Sequence, residues 1–215
     1  MAMGTTVIED EELGRAWLRL VKATSRLGHP MGDEGTELLG VAVSFAARTS
    51  PDPVIERFGD REMVGEMEKV FFGSGPNALG HSYAHLIRGP DGRSDFQDVA
   101  SHLQADRFTK RAVVMLPGTG NGKVPCINVV QFLVREGSVQ CFYFARAQDA
   151  FRKFYADGLC IAAMAGKVGG LLGLPTGRIT GFIGSSHVYH RDASDIAKML
   201  AEAIPASGVR EGRGA

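Results

Sequence analysis

"GTGNGKVPCINVVQF", Gly118 to Phe132, can be read in two incompatible ways. Its glycines and Lys123 suggest a loop that cradles a phosphate, whereas its second half suggests a strand with a cysteine at its mouth. A Walker A loop needs G-x-x-x-x-G-K followed by Ser or Thr, because backbone N–H groups wrap the phosphates and the hydroxyl binds magnesium. Here Pro117 stands where the first glycine belongs, and Val124 follows Lys123. The continuation "VPCINVVQFLV" has the β-branched content of a strand, so no helix N-terminus faces the loop to hold an anion. The glycines therefore read as a turn that delivers a strand. The residue of chemical interest becomes Cys126, and a sheet takes the centre of the chain.

The neighbouring runs extend that sheet. "RAVVMLP" precedes it and "VQCFYFARA" follows, with Glu136-Gly137 as a hairpin turn. Further strands are expected in "ELLGVAVSF" and "RITGFIGSSHVY". Helical spacing of Leu13, Ala16, Trp17, Leu20 and Val21 predicts an opening helix that stops near Arg26-Leu27-Gly28. "RLGHPMGDEGT" reads as a polar turn, and a loop with Pro51 and Pro53 follows "ELLGVAVSF". Val54 to Phe72 reads as a helix broken near Gly59, then "GSGPNALG" as a turn cluster. "SDFQDVASHLQAD" is a short helix capped by Ser94. "GLCIAAMAGKVGGLLGLP" is a tightly packed helix ended by Pro175, and "ASDIAKMLAEAI" closes the ordered part before a loose tail from about residue 206. Helices and strands mix without strict βαβ alternation. The fold class is therefore α+β, with one large mixed or antiparallel sheet flanked by helices.

At 215 residues the chain fits a single domain with a core of useful size. Lys plus Arg number 24 and Asp plus Glu 24, so no global field advertises nucleic acid or a membrane. Any anion must be met by locally placed arginines. Three cysteines without CxxC or Cys/His spacing fit free thiols in a reducing compartment and argue against structural zinc. With an acidic N-terminus and no long apolar run, the expected location is cytoplasmic.

A lone cysteine is more often a small buried hydrophobe than a nucleophile. The company of Cys126 changes that. "VPCINVVQF" resembles the nucleophile strand of thymidylate synthases, in which Pro-Cys-His is followed by a spaced Gln-Phe; Ile127 replaces the usual histidine. The resemblance continues in family order. "FARAQDAF" is similar to the Arg-Ser-x-Asp segment, which makes Arg146 a phosphate ligand and Asp149 a residue facing the folate. Ala147 replaces the serine, removing one phosphate hydrogen bond. "GSSHVYHRD" resembles the strand of sugar-hydroxyl ligands, here His187 and Tyr189. "LGHSYAHLIR" resembles the turn of the active-site tyrosine, here Tyr83, and Glu66 in "MVGEMEKVFFG" falls at the catalytic glutamate. "RFTKRAVV" resembles the basic pair that crosses a homodimer interface, so Lys110 and Arg111 would reach the neighbour's phosphate. Arg26 takes the place of an arginine in the phosphate loop. The likeness spans about Arg26 to Tyr189 without the family's large insertions, and implies a homodimer joined through the sheet. Taken singly, the arginines read as solvated surface charges, the tyrosines as packing residues, His187 as a core histidine and Glu66 as a helix charge. Their joint order argues for the site.

One departure speaks to substrate. In thymidylate synthases an asparagine on the following helix reads the pyrimidine edge. Counting from Asp149 through "KFYADGLCIA", its place is taken by Asp157. An amide matches uracil, which offers N3–H beside O4; a carboxyl sharing one proton matches cytosine, where the amino group donates and N3 accepts. A buried carboxyl of raised pKa could also supply a proton to N3. The same replacement marks the deoxycytidylate and cytidylate hydroxymethylases. The resemblance thus implies transfer of a one-carbon unit from 5,10-methylenetetrahydrofolate, without a metal, to C5 of CMP or dCMP through a Cys126 adduct, nearby arginine charge lowering the thiol pKa. Thymidylate-type methylation of dUMP or UMP competes with this reading, as does a nucleotide-binding relative without turnover. The bland alternative for Asp157 is an N-cap before "GLCIAAMAG".

Overall fold

The computed structural model describes residues 4–47, 51–73, 83, 95–116 and 124–203. The strands are β1 (Thr6–Glu9), β2 (His29–Met31), β3 (Gly35–Ala46), β4 (Val113–Met115), β5 (Ile127–Arg135), β6 (Ser138–Asp149) and β7 (Thr176–Tyr189). The helices are α1 (Leu13–Leu27), α2 (Pro53–Phe58), α3 (Arg61–Phe72), α4 (Asp95–Ala105), α5 (Phe154–Leu172) and α6 (Ala193–Ala203), with a 3₁₀ turn at His190–Asp192 before α6.

All seven strands form one mixed sheet in the order β1-β3-β7-β6-β5-β4, with β2 pairing to β3. β5 and β6 form the expected hairpin, and Glu136 (φ 51°) and Gly137 (φ 73°) both take positive φ, as a two-residue primed turn requires. β6 and β7 are parallel, a pairing that needs a crossover, and the 19-residue α5 supplies it. This α+β sheet with flanking helices agrees with the expected class.

The helix periodicity of α1 places Ala16, Trp17, Leu20 and Val21 almost fully in the core. Burying each large apolar side chain contributes about 1.5–3 kcal/mol. α1 and α5 lie against β3, β6 and β7, α4 lies against β4 and β5, and α1, α3 and α4 all pack on α5. The core sits between these helices and one face of the sheet. α2 and α3 are separated at Gly59-Asp60, as predicted, and Asp60 caps α3 through the N–H groups of Glu62 and Met63. Pro53, read as loop, instead opens α2 in a first-turn position that needs no N–H.

Two strands differ from expectation. β1 arises in the acidic N-terminus and β2 in the polar turn; they hold four and three residues and are mostly exposed, so neither carries the apolar alternation that marks a strand. The turn cluster before Tyr83, the Ser94 cap, the glycine turn from 118 to 123 and the tail from 206 lie outside the described residues.

An apolar row crosses the opposite face of the sheet. One row of paired residues runs Val7, Ala42, Phe182, Phe144, Val129, Met115 across six strands. Phe144 and Phe182 are 39% and 44% exposed, with rings stacked 6.0 Å apart.

Near one end the inside–outside alternation flips. Leu38 and Val41 are both buried, as are Ile183 and Ser186, each pair three residues apart where a regular strand would repeat at two. The flip passes through Gly40, whose φ of 66° is open to glycine at little cost, and its neighbour Gly184, where a Cβ would meet the Arg146 carbonyl oxygen at 2.9 Å. Beyond the kink, Gln148 pairs with Ser186, whose hydroxyl is bonded to Thr24 of α1 at 2.8 Å. Gln148 therefore faces the helices, whereas Phe142 and Phe144 of the same strand face away from them.

Candidate functional site

The kinked end gathers the chemistry. Cys126 immediately precedes β5 and is half-buried. Its carbonyl accepts from the Arg146 N–H at 2.9 Å. The Arg146 guanidinium reaches back to the two preceding carbonyls, donating from Nη2 to Val124 O at 2.8 Å and from Nε to Pro125 O at 3.0 Å. Asn128 also donates to Pro125 O, at 3.0 Å. The chain that presents the thiol is thus held by its neighbouring strand. A guanidinium has five N–H donors, so this clamp and an anion can share it.

Burial pushes the Cys126 thiol up, Asp157 and Asp149 add to that, and Arg146 and Lys153 oppose it. The net direction is upward, which corrects the expectation that arginine charge leaves the thiol below its ordinary range. Tyr83 is buried, with its ring edge-on to Phe71 at 4.8 Å, and its hydroxyl meets the backbone N–H groups of Ile127 and Cys126. Burial, Asp157 and Cys126 all hold this phenol in its protonated form.

Asp157 is four residues past Lys153, the N-cap of α5, so it lies within the helix and the capping alternative is excluded. It is 4% exposed and accepts from Gln148 Nε2 at 2.6 Å through Oδ2. Burial raises its pKa to about 7, against the pull of the Gln148 hydrogen bond and Lys153. Gln148 Oε1 and Asp157 Oδ1 are buried without a hydrogen-bond partner among the described residues. Since buried polar groups in native proteins are nearly always paired, two adjacent orphans point to a ligand.

The loop between β6 and α5 is pinned from three sides. Trp17 Nε1 donates to Ala150 O at 2.9 Å and Phe151 O at 3.1 Å. Asp149 Oδ1 accepts from the N–H groups of Phe151 and Arg152 at 3.2 and 2.8 Å. Arg152 grips the fully buried Asp192 through Nε at 2.9 Å and through Nη2. Asp149, Lys153 and Asp157 are held in mutual register as a result, and the charge of Asp149 acts on both Cys126 and Asp157.

His187 pairs with Asp149 across the β6–β7 ladder, and its ring meets Tyr189 edge-on at 5.3 Å. Tyr189 lies beneath the Arg191 guanidinium at 4.2 Å. Glu66 stands on α3, on the same helix as Phe71, with its carboxylate 2.5 Å from Lys69 Nζ. Arg26 is exposed in the last turn of α1, and no described hydrogen bond or ion pair joins it to the Cys126 cluster. Lys110 and Arg111 are exposed just before β4, where Gln131 Nε2 holds the Lys110 carbonyl at 2.9 Å. The structure therefore brings together Cys126, Arg146, Tyr83, Asp149 and Asp157, sets His187 and Tyr189 one strand away, and leaves the other basic residues at the periphery.

Two residues of the cluster were not singled out from sequence. Gln148 occupies the unassigned position between Ala147 and Asp149, and Lys153 opens "KFYADGLCIA". Neither residue type is distinctive in a strand end or helix start.

A half-buried thiol, a clamped arginine and a buried carboxyl at the kinked end of a mixed sheet agree with a thymidylate synthase-like fold. Comparison with curated proteins supports that family. A protein of Methanothermobacter marburgensis described as "Putative thymidylate synthase" is 22% identical over 217 residues, covering 89% of this chain and 97% of its own length. One of Methanococcoides burtonii with the same description is 25% identical over 205 residues, covering 90% and 94%. An 84-residue segment, 39% of this chain, is 30% identical to 38% of a protein of Methanocaldococcus jannaschii that bears the same description. No family model matches the chain.

Proposed function

We propose that this protein is a folate-dependent one-carbon transferase that hydroxymethylates C5 of a cytidine monophosphate, CMP or dCMP. Similarity along nearly the whole length of relatives described as thymidylate synthases supports the reaction class. The observation that carries the cytosine assignment is Asp157, a buried carboxyl with pKa raised to about 7, held in the Cys126 cluster. Near neutrality it holds a proton for N3 of a cytosine ring and can take it back, which an asparagine cannot do.

In this reading Cys126 adds as thiolate to C6 of the ring, and N3 receives a proton from Asp157 as charge develops there. Arg146 and Lys153 favour the thiolate against burial. Methylenetetrahydrofolate, when bound, supplies the one-carbon unit; Asp149 fits the residue facing it, its carboxylate being fixed by the N–H groups of Phe151 and Arg152 and its charge acting on Cys126. Glu66, working through water with Tyr83, would take the C5 proton as tetrahydrofolate leaves and would place the water that adds to the methylene carbon on C5, after which Cys126 would leave C6 to restore the ring. Arg146 and Arg26 hold the phosphate by charge-assisted hydrogen bonds, and His187 and Tyr189 address the sugar. Incubation with CMP, dCMP, UMP and dUMP, each with methylenetetrahydrofolate, is expected to yield 5-hydroxymethylcytidylate from CMP or dCMP. Methylated uridylate with no hydroxymethylated cytidylate would overturn the assignment.

The proposal includes a homodimer joined through the apolar row on the open sheet face. Arg111 is exposed four residues before Met115, which suits Lys110 and Arg111 to serve the neighbour's phosphate. Sedimentation is expected to show a dimer, and Phe182→Asp, which buries a charge at the row's centre, a monomer with at least about tenfold lower activity. A fully active wild-type monomer would refute this.

A further inference from the structure

Gln148 has a side chain 2% exposed at the kinked end of β6, turned toward the helices, and it is bonded to a carboxyl from α5. Packing does not require an amide there. Its Nε2 donates to Asp157 Oδ2, so the proton of a neutral Asp157 resides on Oδ1, and Oδ1 becomes a donor. Gln148 Oε1 remains an acceptor. These are the two buried atoms that lack partners, one donor beside one acceptor. A carboxyl oxygen needing a donor fixes the amide's orientation, since the flipped amide would set two acceptors face to face whenever Asp157 is ionised.

We infer that Gln148 is a specificity-determining residue of this site, presenting Oε1 to the exocyclic amino group of cytosine while Asp157 Oδ1 meets the ring N3. This rests on the reading of the cluster as a cytidylate site and adds to it a second reader. Uracil in the same pose brings O4 against Oε1, acceptor against acceptor, and N3–H against the Oδ1 proton. A site with buried polar groups rejects the wrong edge by leaving them unpaired or opposed. Asp157 alone, once ionised, can accept from N3–H of uracil. The amide oxygen, fixed when Asp157 is ionised, keeps the mismatch at position 4 in that state.

The test is calorimetric titration of the full chain with CMP, dCMP, UMP and dUMP without folate, comparing wild type with Gln148→Met and Gln148→Glu. Circular dichroism confirms folding. Wild type is expected to favour cytidylates. Gln148→Met keeps the volume and removes the acceptor, and is expected to weaken cytidylate binding about 10- to 100-fold while uridylate binding changes less than about threefold. Gln148→Glu keeps an oxygen at the same place and retains the cytidylate preference at low pH. The preference falls as pH rises in a step displaced from that of wild type, because the two facing carboxyls, beside Asp149 and with Lys153 the nearby cation, keep one proton between them and Oδ1 then has none to give to N3. Cys126, Tyr83, Tyr143 and Cys160 are the other titratable groups coupled to Asp157. Equal weakening of both nucleotide classes in Gln148→Met, or an undiminished preference, would reduce Gln148 to a prop for Asp157 and overturn the inference. A wild type that binds neither class, or favours uridylates, would instead overturn the underlying site reading before any variant is compared. If Gln148→Met fails to fold, the pH dependence of Gln148→Glu decides alone: a preference that follows pH as that of wild type does refutes the assignment.

Discussion

Cys126→Ala is expected to fold, to bind nucleotide within about threefold of wild type, and to lose at least about 10⁴-fold in turnover, since the covalent step has no substitute. The structural cost is small because the interactions that hold this segment are made by the carbonyls of Val124, Pro125 and Cys126, not by the thiol. Cys126→Ser should be nearly as inactive, its hydroxyl being a far weaker nucleophile at neutral pH than a thiolate. Tritium release from C5-labelled cytidylate measures the loss, and nucleotide titration separates it from loss of binding. An active alanine variant would end the covalent mechanism. The pH profile adds a second check. Burial pushes the Cys126 thiol up, so the thiolate fraction, read from the rate of thiol alkylation in the free protein, should rise with pH on a limb lying above the ordinary thiol range. Arg146→Ala removes a charge that pulls the thiol down and should displace that limb to still higher pH, besides weakening phosphate binding.

The parts of this molecule that could be read from sequence are those whose signal is local. α1 shows its core face in the spacing of Leu13, Ala16, Trp17 and Leu20, and the β5–β6 hairpin announces itself by two apolar runs around Glu136-Gly137. β1 and β2 were not legible, because strands of three or four mostly exposed residues are defined by the partner strand β3. The kink escaped for the same reason. It requires Gly40 of β3 and Gly184 of β7 to lie side by side, a register that no single segment encodes. The site divides along this line too. Cys126, Arg146 and Asp157 could be placed by the order of motifs. The upward shift of the thiol depends on burial and on two carboxylates brought in from β6 and α5, whereas the sequence offers only the nearby arginine. Gln148 carries no signal in sequence because its meaning comes from α5, and only the fold shows that its amide and the Asp157 carboxyl share one buried contact.

Asp157→Asn should reverse the substrate preference. An asparagine cannot yield a proton to N3; turned so that its oxygen meets N3–H, it donates to Gln148, whose amide turns over and offers Nε2 to O4, so the pair matches uracil. Sites built to hydrogen-bond one edge reject its complement by about 10⁴–10⁵ at best, and because the two amides in their original orientation still suit cytosine, the swing in kcat/KM between cytidylate and uridylate should be smaller, about 10²–10³. The pH profile should change with it. In wild type the rise of kcat/KM on cytidylate with pH, set by the Cys126 thiolate, should level off through about 7, where Asp157 loses its proton in the free protein, and this break should be absent from the variant's activity on uridylate. Stability gives an independent reading. The folded-state pKa lies above the unfolded value, so the protonated carboxyl is stabilising below the unfolded pKa, and that contribution is lost as pH rises toward the folded value of about 7. An asparagine carries no such penalty. The melting temperature of Asp157→Asn relative to wild type should therefore increase between pH 5 and pH 8, as about one proton's worth of linkage from a single buried acid requires. A difference in melting temperature that stays flat over that range would mean that Asp157 does not hold its proton in the folded protein. The carboxyl would then be ionised at rest, unable to protonate N3, and the preference for cytosine would need another source.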